Sequence, residues 1–205
     1  SFQMEGFGKR LAPLADSIGS SIMIECDVAK EEAVDRCFAA LATHWPTIDF
    51  VVHALAFSDK NELKGAYMNT SRDNFANTMM VSAYSFTEVA RAASTMMPTG
   101  GALVTLSFLG AQRSTPNYNV MGVAKAALEA SVRYLAVDLG GQNIRVNALS
   151  AGPMRTLAGA AITGARHIFR HSEHNAPLQR NPGLEEVGQA GLYLVSDLSS
   201  GVTGE

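Results

Sequence analysis

Apolar runs and amphipathic stretches alternate along most of this chain. Short apolar runs between polar or glycine-rich joints predict buried strands at 21–26, 50–55, 102–109 and 145–150. Apolar residues recur at helical spacing between these runs, which predicts helices at 7–17, 30–45, 71–97, 126–137 and 184–195. Alternation of this kind is typical of an α/β fold, in which helices cover both faces of a doubly wound parallel sheet.

The segment after the predicted strand at 145–150 has a weaker pattern. It begins rich in glycine and alanine and carries few apolar anchors as far as Pro182. We expect a mobile flap over a binding site at about 153–182, within a single domain that spans residues 1–205. The small residues from Gly152 to Gly164 predict disorder there when no ligand is bound.

Both ends of the sequence look incomplete for such a fold. Residues 1–3 resemble the exit of a strand, and residues 201–205 resemble the approach to another. The glycine-rich turn that normally holds a pyrophosphate at the start of a doubly wound sheet does not occur in the sequence. We therefore expect a truncated domain that lacks its first strands and its last strand, either because the sequence is a fragment or because disordered flanks are absent from it.

Composition and charge exclude several classes of function. Apolar residues make up 47% of the 205 residues and charged residues 17%, an ordinary globular balance. The net charge of −3, without a basic block, argues against nucleic acid as a partner. No apolar stretch is long enough to span a bilayer, so we expect no membrane partner. The sequence shows no signal peptide, and Cys26 and Cys37 form no disulfide framework, so a cytoplasmic location is expected.

Tyr118 and Lys125 carry the strongest indication of chemistry. They stand seven positions apart, between a predicted buried strand and a predicted helix. Seven positions turn a helix through nearly two revolutions, so the phenol and the ammonium are expected on one face. A nearby ammonium would lower the pKa of the phenol and make it a better donor to an oxygen that gains negative charge. The alternative interpretation is a half-exposed tyrosine and a solvated lysine on an amphipathic helix, with no catalytic role. The predicted strands on either side of the pair favour a catalytic role instead.

These residues and two nearby runs resemble the short-chain dehydrogenase/reductase superfamily. The runs are RVNALSAGP at 145–153 and RTLA at 155–158. Ordinary members place tyrosine and lysine four apart, where this chain has Gly122, and the wider spacing is similar to that of the bacterial type I enoyl-acyl-carrier-protein reductases. The resemblance extends from residues 1–3 to residues 196–199. It implies a Rossmann-like domain that uses NADH to reduce trans-2-enoyl-acyl-carrier-protein thioesters in bacterial fatty-acid biosynthesis.

The resemblance also implies roles for individual residues. Tyr118 is the expected catalytic donor to the substrate oxygen, Lys125 is expected to bind the ribose hydroxyls, and Ser58 is expected at the mouth of the acyl pocket. The remaining expected cofactor contacts are Gln3, Asp27 and Val28 at the adenosine, Leu55 and Ala56 at the nicotinamide ribose, and Met154, Arg155, Thr156, Leu157 and Ala158 at the nicotinamide and the pyrophosphate.

Two positions depart from the family pattern. Most relatives have glycine where this chain has Ala56, and the added methyl group should narrow the pocket beside the nicotinamide. The family's second tyrosine, ten positions before the first, is replaced here by Phe108. Tyr118 is then the only phenol expected at the catalytic position, and we interpret Phe108 as a wall of the pocket.

NADH is the expected cofactor, with NADPH as the less favoured alternative. A 2′-phosphate needs an arginine or lysine at the exit of the second strand, and residues 3–5 offer neither. Lys9 and Arg10 stand a turn or more further on, which keeps NADPH open.

Two other functions stay open from the sequence. A carbonyl or alcohol oxidoreductase of the same superfamily would have its tyrosine and lysine four apart, and Gly122 argues against it. A non-catalytic fragment or oligomerisation module without the phosphate turn is the alternative from a different class.

Several further side chains have simpler interpretations. His167, His171 and His174 with Glu173 could suggest a metal, but exposed histidines are the interpretation that we favour, and no metal is expected. We interpret His53 as a hydrogen-bonded core residue and Asp138 as a solvated charge. The predicted helix at 71–97 is apolar on more than one face, which suits the homotetramer that the resemblance implies.

Overall fold

A parallel sheet forms the centre of the described structure. The computed structural model describes residues 5–154, 156 and 164–205. Within them, the sheet has the order β1 (Phe50–His53), β2 (Gly101–Ser107) and β3 (Ile144–Ser150). Val51 pairs with Leu103, and Leu103 pairs with Val146, so the three carboxyl ends lie at one edge of the sheet. This edge is where ligands bind in open α/β sheets.

Helices cover the sheet, and their positions confirm most of the sequence pattern. The helices are α1 (Glu5–Ser17), α2 (Ala33–Ala42), α3 (Arg72–Met79), α4 (Ser85–Ser94), α5 (Asn119–Gly140), α6 (Ala165–Asn175) and α7 (Leu184–Val195). The predicted helix at 126–137 is the middle of α5, which begins seven residues earlier, at Asn119. No helix in the described ranges has both the length and the apolar character needed to cross a membrane.

The predicted helix at 71–97 is one helical segment with a wider turn inside it. Ser71 caps its start, because the Ser71 side chain accepts a hydrogen bond from the backbone N–H of Asn74. A π-helical turn at Met80–Tyr84 joins α3 to α4. Turns of this kind are frequent near functional sites. Here the turn brings Ser82 to the backbone of Phe57, with which it makes hydrogen bonds of 3.0 and 3.1 Å.

Two elements differ from the prediction. The strand predicted at 21–26 is wrong: only Glu25 makes a strand-type bridge, and the segment is held instead by Cys26 and Val28, which are buried in a cluster with α2 and α4. The predicted helix at 30–45 is shorter, since Glu32 adopts a left-handed conformation (φ 57°) and the helix begins only after it.

The main hydrophobic core fixes α4 and α5 against the sheet. Phe86 of α4, Leu128 of α5 and Leu103 of β2 are fully buried there. Burying a side chain of this size stabilises the fold by about 1.5–3 kcal/mol. The packing of α5 on the sheet brings the first turns of the helix to the carboxyl edge of β2.

The region predicted to be a flap contains a helix that the pattern did not indicate. Residues 155 and 157–163, which hold most of the stretch predicted to be disordered, lie outside the described residues. After them, α6 follows Gly164, whose φ of 81° is one that glycine adopts without strain. The flap and the single-domain organisation therefore remain predictions.

Candidate active site

A cavity of about 1020 Å³ opens at the carboxyl edge of the sheet. The residues that follow β1, β2 and β3 line it, together with the start of α5 and part of α6. Its apolar walls include Phe57, Leu63, Phe108, Met121, Ile168 and Phe169. Its size is in the range of small-molecule and cofactor sites, and most of its lining is apolar.

Tyr118 lies at the start of α5 and is buried in this cavity. It is the residue immediately before the helix, and its side chain is only 8% exposed. The Phe108 ring meets the Tyr118 ring edge-on, with centroids 5.1 Å apart and an interplanar angle of 64°. Such edge-to-face pairs are favourable beyond the area they bury. Phe108 therefore forms the wall of the pocket that the sequence predicted, and it orients the phenol.

Two glycines allow the chain to close around the Tyr118 ring. A β-carbon at Gly110 would stand 2.6 Å from Cε1 of Tyr118, and a β-carbon at Gly122 would stand 2.7 Å from the carbonyl oxygen of Gly110. Neither distance is compatible with a side chain. Position 122 therefore has no room for a lysine, and the cation has to come from a later turn of the helix.

Lys125 supplies that cation from the second turn of α5. Its side chain is 6% exposed, lines the same cavity as Tyr118, and donates a hydrogen bond of 2.6 Å from Nζ to the carbonyl oxygen of Leu106. Burial lowers the pKa of Lys125 to about 8, and the negative charge of Glu129 opposes that change. The structure thus brings together the two residues that the sequence paired.

The predicted effect of Lys125 on the pKa of Tyr118 is wrong. Burial raises the pKa of Tyr118 above its ordinary value, and among the described residues no charged group, Lys125 included, lowers it. Leu63, Met121 and Phe108 surround the ring, and an apolar environment disfavours the charged phenolate. Tyr118 therefore stays a neutral O–H at physiological pH, which suits a hydrogen-bond donor.

Ser58 lies at the edge of the cavity in a polar network with α3. Its hydroxyl is within hydrogen-bond distance of Asn74 (3.2 Å to Nδ2) and of Thr78 (2.9 Å to Oγ1). Asn74 also accepts a bond of 2.9 Å from the backbone N–H of Asp59. Because Asn74 and Thr78 are buried, the network fixes the loop that enters the cavity after β1.

His53, at the end of β1, is a satisfied core residue, as predicted. Its ring nitrogens lie 2.9 Å from Thr105 Oγ1 and 2.9 Å from Ser85 Oγ. Burial lowers the pKa of His53 to about 4, with a further contribution from the charge of Lys125. The ring is therefore neutral at physiological pH and joins β1, β2 and α4 beneath the cavity.

The other predicted cofactor residues divide into three groups. Those that line the cavity beside Tyr118 and Lys125 are Leu55, Ala56, Met154 and Thr156. Asp27 and Val28 do not line it: Asp27 is 3.5 Å from the ammonium of Lys30, and Val28 is buried in the core. Gln3, Arg155, Leu157 and Ala158 lie outside the described residues.

Several residues of the cavity were not indicated by the sequence reasoning. Met121 stands three positions after Tyr118, and this helical spacing could have placed both side chains on one face. Ile168 and Phe169 belong to α6, which the pattern did not predict, so no comparable signal pointed to them.

The histidines of α6 lie at the surface. No cluster of three or more potential metal ligands occurs among the residues that the structure describes, and His167, His171 and His174 are exposed there. Asp138 is exposed as well, which confirms its interpretation as a solvated charge.

Comparisons with known proteins agree with this geometry. A family model described as Enoyl-(Acyl carrier protein) reductase matches residues 1–205. Enoyl-acyl-carrier-protein reductase (NADH) 1 of Rhizobium meliloti (strain 1021) is 57% identical over 205 residues, which are 100% of this chain and 75% of that protein. The chain belongs to the enoyl-acyl-carrier-protein reductase family.

Solved structures of family members have the same fold. The enoyl-acyl-carrier-protein reductase of Anaplasma phagocytophilum, crystallised in complex with NAD, is 55% identical with a TM-score of 0.95, over 100% of this chain and 78% of that one. FabI from Candidatus Liberibacter asiaticus is 55% identical with a TM-score of 0.97, over 100% of this chain and 79% of that one. The resemblance and the Rossmann-like parallel sheet inferred from the sequence are thereby confirmed.

Proposed function

We propose that this chain reduces the carbon–carbon double bond of trans-2-enoyl-acyl-carrier-protein thioesters with NADH, in the elongation cycle of bacterial fatty-acid biosynthesis. The observation that carries the proposal is the pairing of Tyr118 with Lys125 in one buried cavity, with position 122 closed to any side chain. This arrangement suits the seven-residue spacing and argues against the four-residue spacing of the carbonyl reductases. The names of relatives at 57% and 55% identity agree with it.

The cavity fits a dinucleotide such as NADH. Lys125 has three N–H donors, and the bond to Leu106 uses one of them, so donors remain for a ribose diol. Leu55, Ala56 and Met154 offer apolar contact for a nicotinamide ring. We propose that Thr156, with Arg155, Leu157 and Ala158, holds the nicotinamide and the pyrophosphate. We also keep Gln3, Asp27 and Val28 as proposed adenosine contacts.

Tyr118 is the proposed catalytic donor. NADH, when bound, supplies the hydride that reduces the β-carbon of the enoyl group. Negative charge then develops on the thioester oxygen, and a neutral phenol can donate a hydrogen bond to it. Because the raised pKa of Tyr118 keeps its proton in place, the residue acts as a donor over the whole physiological pH range. Phe108 offers no second hydroxyl, so the donation depends on Tyr118.

Lys125 and Ser58 are proposed to place the two reactants. The buried ammonium of Lys125 would hold the ribose and so orient the nicotinamide next to Tyr118. Ser58, fixed by Asn74 and Thr78, would stand at the mouth where the acyl chain enters. Ile168 and Phe169 supply apolar surface for the acyl chain, which agrees with a substrate-binding flap at about 153–182.

We further propose that the protein works as a homotetramer in the bacterial cytoplasm, with acyl-carrier protein as its partner. Support for the assembly comes from large apolar side chains that are exposed in the single chain. Met80 and Tyr84 on the π-helical turn are 45% and 48% exposed, and Tyr134 and Val137 on α5 are 77% and 81% exposed. Light scattering coupled to size-exclusion chromatography measures the oligomeric state. A monomer at micromolar concentration would exclude the tetramer.

The loss of NADH absorbance with crotonyl thioester tests the proposed reaction. We expect oxidation of NADH that depends on the enoyl thioester and produces the saturated acyl product. Acetoacetyl thioester in the same assay tests the carbonyl oxidoreductase, for which the keto substrate would be the better one. NADH binding without turnover of either thioester would contradict the proposed function.

A further inference from the structure

Two hydrogen bonds connect α5 to the end of β2. One is the bond of Lys125, and the other is made by Glu129. Glu129 stands one helical turn after Lys125, and its Oε1 accepts a hydrogen bond of 2.6 Å from the hydroxyl of Ser107. Ser107 is the last residue of β2 and lines the cavity, and Leu106, just before it, accepts the bond from Lys125. Two successive residues of the strand thus hold two successive turns of the helix.

Glu129 is the negative charge that acts on the buried ammonium. Within the described ranges no ion pair of 4 Å or less joins Lys125 to a carboxylate, so the attraction between Glu129 and Lys125 acts over more than 4 Å, between side chains one helical turn apart. Among the described titratable groups, His53 on β1 interacts with the charge of Lys125 and Tyr118 lines the same cavity, and burial keeps both neutral at physiological pH. Asp59, Lys60, Glu62 and Asp73 also line the cavity, but the charge that acts on the pKa of Lys125 is that of Glu129. The carboxylate of Glu129 therefore offsets the cost of burying the charge of Lys125.

We propose that Glu129 is a positioning residue for Lys125: anchored by Ser107, its carboxylate keeps the ammonium charged at the carboxyl edge of β2. Ser107 matters because the Glu129 side chain is only partly buried, and without its anchor the carboxylate could turn toward water. The consequence for NADH rests on the proposed function, since it assumes that the charged lysine binds the ribose.

The direction of the effect follows from the signs of the charges. An opposite charge favours the charged form of lysine, so removal of the Glu129 charge lowers the pKa of Lys125 further. A decrease of about one pH unit from the present value would reduce the protonated fraction at pH 7.5 from about three quarters to about one quarter. NADH affinity at that pH should then fall about threefold, and the loss should disappear at lower pH.

The titration of Lys125 itself is the direct test, and it needs no activity. Nuclear magnetic resonance of the protein labelled with ¹³C at the lysine ε-carbons, with the signal assigned through Lys125→Arg, gives the pKa of Lys125 in each variant. We expect Glu129→Gln, which keeps an acceptor for Ser107, to lower that pKa by about one unit. Ser107→Ala keeps the charge but loses the anchor, so it should lower the pKa by a smaller amount in the same direction.

Asp138→Asn is the matched control, because it removes the same charge from an exposed position on α5. It should leave the pKa of Lys125 unchanged. A Glu129→Gln titration that coincides with that of the wild type would overturn the proposal, and so would an equal decrease in Asp138→Asn. Should Glu129→Gln fail to fold, an unshifted Ser107→Ala would overturn it instead.

Fluorescence titration with NADH from pH 6 to pH 9 gives the second readout. The positioning role predicts that the pH at which NADH affinity falls by half moves down in Glu129→Gln and stays in place in Asp138→Asn. The pKa of Lys125 could shift in Glu129→Gln while the pH dependence of NADH affinity stays the same. That result would contradict the ribose contact proposed for Lys125 but would still support the coupling of Glu129 to Lys125. The two proposals therefore fail in distinguishable ways.

Discussion

The backbone of Gly110 lies directly against the ring of Tyr118. A β-carbon at Gly110 would stand 2.6 Å from Cε1 of that ring, and the Phe108 ring meets Tyr118 with its centroid 5.1 Å away. The phenol is therefore held between a backbone segment and an aromatic edge. Its direction is set by residues that take no part in the chemistry, and this arrangement can be tested without touching the phenol.

Gly110→Ala should displace the Tyr118 ring and lower kcat by at least about tenfold, because a misplaced donor loses part of its transition-state stabilisation. Overpacking at this tightly packed position should also lower the free energy of unfolding by about 1–3 kcal/mol. Steady-state kinetics and chemical denaturation measure the two effects. Gly140→Ala, in the last turn of α5 with open space around it, is the control and should keep wild-type kcat. Wild-type kcat in Gly110→Ala would contradict the claim that close packing against Gly110 fixes the position of the Tyr118 ring.

His53 should make the protein sensitive to acid. Its folded-state pKa of about 4 lies below the ordinary value of 6.5, so between these values the unfolded chain binds a proton that the folded chain does not. Stability should therefore fall by up to about 3 kcal/mol as the pH decreases from 6.5 to 4. Urea denaturation across this range in His53→Gln should show a smaller fall, whereas His44→Gln, at an exposed histidine, should follow the wild type. Equal slopes in all three proteins would refute the assignment.

The buried charge of Lys125 should lower the free energy of unfolding, although the same charge is proposed to bind NADH. Its folded-state pKa of about 8 lies below the ordinary 10.5, so the folded protein gives up a proton that the unfolded chain keeps. The wild type should gain up to about 3 kcal/mol of stability as the pH rises from 8 to 10.5. Lys125→Met should lack this gain and should bind NADH too weakly to saturate. Denaturation curves at several pH values, with NADH titrations at pH 7, measure both; unchanged NADH affinity would contradict the ribose contact.

Much of the fold could be predicted because its periodic segments are long and strong. The apolar run of β2 and the stripe of α5 were clear in the sequence, and they led to Tyr118 and Lys125 at the edge of the sheet. The strand predicted at 21–26 failed because its burial comes from Cys26 and Val28 packing under α2 and α4, which a local pattern does not reveal.

The electrostatics of the site could not be predicted in the same way. The pKa of Tyr118 depends on Leu63, more than 50 positions earlier, and on Phe108, whose contact with the ring is tertiary. Burial raises the pKa of Tyr118, whereas the sequence suggested that the neighbouring charge of Lys125 would lower it. Likewise, the described side chains of α6 that line the cavity include two adjacent apolar residues, Ile168 and Phe169, and two neighbours do not make a helical stripe.

The central claim is that the Tyr118 hydroxyl donates to the oxygen that becomes negative during enoyl reduction. Turnover of crotonyl thioester by Tyr118→Phe, with NADH affinity measured on the same preparation, tests it most directly. Loss of the donor should lower kcat by about 10²–10³ while NADH affinity stays within about twofold, because the phenylalanine ring keeps the packing against Phe108. Wild-type turnover by Tyr118→Phe would contradict the account.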